Sequence, residues 1–550
     1  MRHLLLLPIL LIPGRLAFGQ AVSPIPADAR TAMEELRKEP FRAHMAFLAD
    51  DLLEGRGTGK RGHEIAARYV AAQFEAMGLK PAGQDGTYYQ RVPLREITVD
   101  PDKCAMALTE SGSTLQLKWS DDFIMGGRSA NPDAFVEAPL VFVGYGVRTP
   151  DGRYDDYAGL DVKGKIVVFL GGAPPSLPSE LGAHLSAGRE KARTARDHGA
   201  VGIVQLWSTK SEKGLPWARV VIGTGFPAMR WLGPDGIPSD SFPEIKGAAV
   251  LSLTASEKLF QHAPKTWAEV LRDADASKPQ GFPLPVTAHM RAVSHHEAIT
   301  SPNVLAVLPG SDPKLSQEYV VYTAHVDHLG IGKPINGDSI YNGAADDASG
   351  TAALLVLAKA FKSLPHPPAR SILFLAVTAE EKGLLGSDYF AHFPTVPIQS
   401  IVADINMDGA SMFYTFNDIV PLGAPNSTLD AVVQRNAARL GLKVSPDPEP
   451  DQHYFVRADQ YSFVRQGVPS VFISEGEQAR DPKFDAKKFG EDWIATRYHA
   501  PSDDMSQPMD LDASVQFMQV DFLVGYDIAQ DPQRPRWKQG DFFGETFGRK

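Results

Sequence analysis

Cysteine is nearly missing from this chain. Cys104 is the single one in 550 residues, so neither an intramolecular disulfide nor a cysteine-based zinc knuckle can form. The fold must be held by its cores, alone or together with a bound metal. Basic residues are in deficit: 55 Lys and Arg face 66 Asp and Glu, for a formal charge of −11. Nucleic acids and anionic membranes are met by basic faces, so neither is expected as a partner. No Gly-x-Ser-x-Gly elbow occurs, which argues against a nucleophilic serine hydrolase. Long apolar runs are missing too. The nearest is Leu4 to Ile12, which Pro8 interrupts and Pro13 and Gly14 close; it is too short to span a bilayer. With Arg2 before it and Ala17-Phe18-Gly19 before Gln20, it reads as an export signal over residues 1–19. The expected product is exported, periplasmic or secreted, without a membrane anchor after cleavage.

What the chain does contain is core-forming material: 43% apolar and 22% charged residues, the composition of a folded protein. Its length calls for two or three domains. Pro40 to Leu79 reads as two helices around a glycine turn. Gly57, Gly59 and Gly62 match a dinucleotide fingerprint, but no strand precedes them, so a turn is the better reading. Over 131–280 strand-like runs such as Ile166 to Leu170 and Gly202 to Leu206 alternate with turn clusters. This stretch reads as a separate β-rich module without ligand residues. From 281 onward strands and helices alternate, predicting an α/β fold with a mostly parallel sheet covered by helices on both faces.

Chemistry-bearing residues gather just after the apolar strands. Tyr319 to Thr323 leads to His325-x-Asp327-His328, and a glycine-rich loop leads to Asp346-Asp347. Ile372 to Val377 leads to Glu380-Glu381, and Ile401 to Ile405 to Asp408. Tyr498-His499 follows in a late loop. Ligands sit at the carboxyl ends of strands in such sheets. Two His and three carboxylates, His325, Asp346, Glu381, Asp408 and His499, serve two three-ligand metal sites if one carboxylate bridges. Glu380, next to a ligand yet free, is placed to act as general base and acid. His328 reads as a loop histidine in solvent, and Asp347 as at least partly the cap of the following helix.

The order His325-x-Asp327, Asp346-Asp347-x-Ser349-Gly350, Glu380-Glu381, Asn406-x-Asp408, Tyr498-His499 resembles the co-catalytic di-zinc aminopeptidases of peptidase family M28. That family also includes glutamate carboxypeptidase II and the transferrin receptor. Leu53-Glu54-Gly55-Arg56-Gly57 is similar to the start of its peptidase domain. Gly144-Tyr145-Gly146, Asp156-Tyr157-Ala158-Gly159 and Lys163-Gly164-Lys165-Ile166-Val167 resemble its inserted protease-associated domain. The resemblance implies four parts: signal peptide 1–19, the N-terminal part of the peptidase domain 20–130, a protease-associated insertion 131–280, and the catalytic zinc peptidase domain 281–550. It implies two zinc ions, with His325 and Asp408 on one, Glu381 and His499 on the other, and Asp346 bridging. It also implies that Asp327 bonds the far nitrogen of His325, that Glu380 shuttles the proton, that Tyr498 polarises the scissile carbonyl, and that the Asp346–Asp347 peptide bond is cis. Asp459 lies in a segment that more often reads Ser-Asp-His in the family; Ala458 and Gln460 depart from it, so no substrate role is carried over there.

A non-catalytic receptor-like member and a glutaminyl cyclase-like transferase with one zinc are weaker readings, because the five ligands and Glu380 are all present. Among hydrolases, the carboxylates Asp327, Asp346, Asp347, Glu380, Glu381, Asp408 and Asp503 favour a substrate with a free α-amine. Lys382 and Arg497 are the cations of the motif segments. The expected function is an aminopeptidase acting on peptide substrates; a carboxypeptidase or dipeptidase of the same fold is the alternative.

Overall fold

A computed structural model describes residues 23–452 and 454–549. The expected signal peptide and His453 lie outside the described residues. The central sheet of the second half is built from four parallel strands. Ser371–Val377 and Ile401–Asn406 flank Tyr319–His325, and Ser470–Glu475 adds to Ile401–Asn406. Antiparallel partners close both sides: Phe282–Leu308 beside Ser371–Val377, and Asp418–Leu422 beside Ser470–Glu475. This is the expected α/β sheet, mostly parallel.

The unbroken apolar runs follow from burial on both faces. Along Tyr319–His325, Val320, Tyr322 and Ala324 enter the larger core, and Val321 enters the smaller one opposite. Helices Ser349–Ser363, Lys38–Leu48 and Leu511–Gln530 cover the first face. Helix Leu511–Gln530 approaches so closely that a Cβ at Gly525 would stand 1.8 Å from the Tyr322 hydroxyl. That hydroxyl donates to the Asp521 carbonyl at 2.7 Å, so glycine is required there.

Strand Phe282–Leu308 runs for 27 residues and belongs to two sheets. Its second half pairs with Tyr89–Val99 and with the central sheet. Its first half pairs with Asp133–Phe142 and Ala105–Glu110 in a second sheet. In that second sheet Asp133–Phe142, Ile166–Leu170, Gly202–Leu206 and Gly247–Leu251 run parallel. Two features differ from the sequence reading. The sheet recruits strands before residue 131, namely Ala105–Glu110, Ser113–Gln116 and Phe123–Met125. The 131–280 stretch also carries six helices, Ser179–Ser186 through Trp267–Asp275, so the unit is α/β rather than simply β-rich. Of these, the helix Gly188–Asp197 is the one the sequence shows, as an amphipathic stretch around Arg189 to His198.

Candidate metal centre

Parallel pairing places the carboxyl ends of three strands along one edge. His325 stands opposite Val377 and Thr323 opposite Asn406, so the residues just beyond those strands meet. His325 Nε2 lies 3.1 Å from Asp346 Oδ1 and 3.5 Å from Asp408 Oδ1. His499 Nε2 lies 3.2 Å from Asp346 Oδ2 and 3.1 Å from Glu381 Oε2. The two oxygens of Asp346 thus face two separate His–carboxylate pairs. All five residues singled out as ligands converge.

A histidine missed in the sequence completes the cluster. His328 is fully buried, not solvated. Its Nδ1 is 2.6 Å from Glu381 Oε1 and 4.0 Å from Asp346 Oδ2. Its ring packs edge-on to His499 at 5.7 Å. Burial comes from the 51–60 segment folding across it: His328 N donates to the Arg56 carbonyl at 3.2 Å, and Gly57 bridges to His328. The spacing His325-x-x-His328 was the available signal; only the distant N-terminal segment decides burial.

The donor set fits cations. His325 Nδ1 donates to the Asp327 carbonyl at 3.0 Å, which leaves the Nε2 lone pair aimed at carboxylates. His325 Nε2, both ring nitrogens of His328 and Glu381 Oε1 are buried without a hydrogen bond among the described residues. Ring nitrogens crowded by carboxylates need a positive charge between the two, a ring proton or, once that proton leaves, a metal ion. Two candidate triads result: His325, Asp347 and Asp408, and His328, Asp346 and Glu381. In the first, Asp346 is the better donor. Asp347 already accepts from three backbone N–H groups, those of His325 at 3.1 Å and of Gly350 and Gly409 at 2.8 Å. It caps helix Ser349–Ser363 and ties it to the loop carrying Asp408. A Cβ at Gly350 would lie 2.3 Å from Asp347 Oδ1, so glycine permits that contact. The Asp346–Asp347 peptide bond is cis.

The surrounding residues position this set. The carboxylate of Asp327 does not reach His325; its Oδ1 is 3.9 Å from Nδ1. It accepts instead from Thr58 Oγ1 at 2.8 Å and Glu380 N at 3.1 Å. The expected His–Asp bond is therefore replaced by a His–carbonyl bond, and Asp327 orients Glu380. Asp503 accepts from the Ala345 and Asp346 amides at 2.9 and 3.1 Å. With Asp327, Asp347 and Asp503 so engaged, three of the carboxylates counted toward amine recognition are committed elsewhere. Arg56, read as part of a turn, is buried, and donates to the carbonyls of Val326, Leu48, Asn342 and Gly343.

Glu380 reaches the cleft from the turn after Ala379, a residue at φ +58°. Burial, opposed by the His325 charge and reinforced by Asp408, Asp459 and Glu381, holds its carboxyl well above the usual range. Burial works the same way on Glu381, but the charges of His499 and His328 overcome it and hold that carboxyl well below. The neighbouring carboxylates are thus pushed apart, as suits a proton carrier beside a ligand. Tyr498 stacks on His499 with centroids 3.8 Å apart. Glu380, Asp408 and Tyr498 open on a cavity of about 970 Å³ that Trp207 and Lys213 of the second unit also line. Arg219 of that unit donates to the Tyr498 carbonyl. Lys382 lies over the Phe226 ring and Arg497 donates to the Ser502 carbonyl; neither lines the cavity.

No described helix is long and apolar enough to cross a membrane. The chain is 28% identical over 228 residues to a probable leucine aminopeptidase 2 of Aspergillus oryzae, covering 39% of this chain and 42% of that protein. It is 27% identical over 264 residues to a probable zinc metalloprotease of Pyrenophora tritici-repentis, covering 43% and 53%. The chain thus spans about half the length of these curated relatives. An aminopeptidase from Aneurinibacillus sp. strain AM-1 shares the fold, with a TM-score of 0.54 at 18% identity over 92% of this chain and 97% of that one. The model of peptidase family M28 matches residues 303–522, the stretch that holds every residue of the two triads.

Proposed function

We propose that the chain is an exported di-zinc aminopeptidase that removes N-terminal residues from peptides. The observation that carries this reading is Asp346, whose oxygens face His325 with Asp408 on one side and His499 with Glu381 on the other. These five residues would hold the ions, with His328 against Glu381. When bound, two zinc ions supply Lewis acidity at the scissile carbonyl and make a water readily deprotonated. Glu380 takes the proton from the attacking water and returns it to the leaving amine. Its amide, bonded to Asp327, fixes where that carboxylate stands. Tyr498 donates from its hydroxyl to the carbonyl oxygen as negative charge develops there.

The names of the curated relatives, a leucine aminopeptidase and a zinc metalloprotease, support the metal and the direction of attack. Glu475, Glu477 and Asp447, which line the cavity, add negative charge for a free amine. The second unit is proposed to be a protease-associated insertion that roofs the cleft, through contacts such as Arg219 with Tyr498.

Purified protein should hold close to two zinc ions per chain, lose activity to a chelator and regain it with zinc. Leucine nitroanilide should be cleaved and its acetylated form spared. Full activity without metal would end the reading. Turnover restricted to an N-blocked dipeptide with a free carboxylate would move the enzyme to the carboxypeptidase branch.

A further inference from the structure

Arg457 is the cation that stands beside Tyr498 in the cleft, from a segment to which the sequence assigned no role. It lines the cavity with Glu380, Asp408 and Tyr498, and its side chain is exposed there. Its guanidinium is barely engaged. Nη2 donates to the Tyr498 hydroxyl and Nη1 to the Gln452 carbonyl, both at 3.4 Å, and the group lies over the Tyr454 ring at 5.4 Å. Among the described residues it forms no ion pair, although Tyr454 brings Glu449 close by donating to it at 3.3 Å. Arginine is a planar fork suited to a carboxylate, and most of this fork is open.

Its position fixes which carboxylate. The Tyr498 ring stacks on His499, whose Nε2 meets Asp346 and Glu381. Arg457 therefore stands one side chain beyond the metal centre. A substrate whose scissile carbonyl bonds the Tyr498 hydroxyl brings the next residue within reach of Arg457, because successive residues advance by about 3.8 Å.

We infer that Arg457 receives the terminal carboxylate of the residue after the scissile bond, which makes dipeptides the preferred substrates. The inference rests on the aminopeptidase reading above. Removing the carboxylate from the substrate deletes charge-assisted hydrogen bonds, which should cost about 10- to 100-fold in kcat/KM.

The test compares zinc-loaded protein on leucyl-glycine, leucyl-glycine amide and leucine nitroanilide, for wild type, Arg457→Gln and Arg457→Lys. The quantity read is the ratio of kcat/KM for the free acid over the amide, in which any general loss of activity or folded fraction cancels. Wild type should favour the acid by about 10- to 100-fold, Arg457→Gln should bring the ratio near one, and Arg457→Lys should restore part of it. A wild-type ratio near one, with the nitroanilide still cleaved, overturns this inference and leaves the aminopeptidase reading standing. A wild-type preference that persists in Arg457→Gln assigns the carboxylate to another group and also overturns it. No turnover of any leucyl substrate overturns the aminopeptidase reading itself.

Discussion

Removing the guanidinium of Arg56, as in Arg56→Met, should unfasten the loops that present the ligands. The side chain is 1% exposed. It donates at 2.7 Å to Val326, at 2.5 and 2.6 Å to Leu48 and Asn342, and at 2.9 Å to Gly343. These carbonyls belong to the loop after the His325 strand, the N-terminal helix, and the turn entering Asp346. A net 1–1.5 kcal/mol per bond gives a ceiling of about 4–6 kcal/mol. Methionine needs no desolvation of charge, which returns part of this. Removal of the cation also leaves Asp347, Asp503, Asp327 and Asp346 without their common counter-charge. The balance is a loss of about 3–5 kcal/mol, the range for breaking a buried charged network. Urea unfolding of chelator-treated protein measures it without metal linkage. Hydrogen exchange should show weaker protection at amides 326–328 and 342–346. Arg56→Lys keeps the charge but not the fork, and should fall between. A loss below about 1 kcal/mol, with protection at those amides unchanged, would refute the idea that Arg56 holds the site together.

Glu380→Gln should keep its metal while kcat falls by about 10²–10⁴-fold, the usual range for general acid–base catalysis. Glu381→Gln should lose metal first; metal analysis and kinetics on the two variants check the pair, and the reverse pattern would exchange their roles. Metal uptake should release protons. Although burial opposes it, Glu381 and Asp346 raise His499 in the metal-free protein to about 10, so below that pH a proton must leave before the ring can bind. Apparent affinity at this site should therefore fall roughly tenfold per pH unit for each proton displaced as the solution is acidified. Calorimetry in buffers of different ionisation enthalpy reads that number directly, and an affinity flat from pH 8 to 6 would contradict it.

By itself the sequence determined the parallel sheet and the residues at its edge. Strands buried on both faces must be unbroken apolar runs, and Tyr319 to Thr323, Ile372 to Val377 and Ile401 to Ile405 announce themselves. Polar residues directly after such runs stand out against them, which is why His325, Glu381 and Asp408 are legible in the sequence. The tertiary structure decided what each carboxylate is free to do. In sequence Asp327, Asp347 and Asp503 count with Asp346 toward recognition of a free amine, yet their oxygens are taken by Thr58 and by the amides of His325, Gly350, Gly409, Glu380, Ala345 and Asp346. It also decided that His328 is buried, that Arg56 is a clamp rather than part of a turn, and that Arg457 reaches the cleft. Each of these depends on contacts between segments far apart in the chain, such as Arg56 with Asn342 or Arg457 with Tyr498. Local periodicity shows which face of an element is apolar; which distant polar group arrives to satisfy a buried atom is settled only when the chain closes on itself.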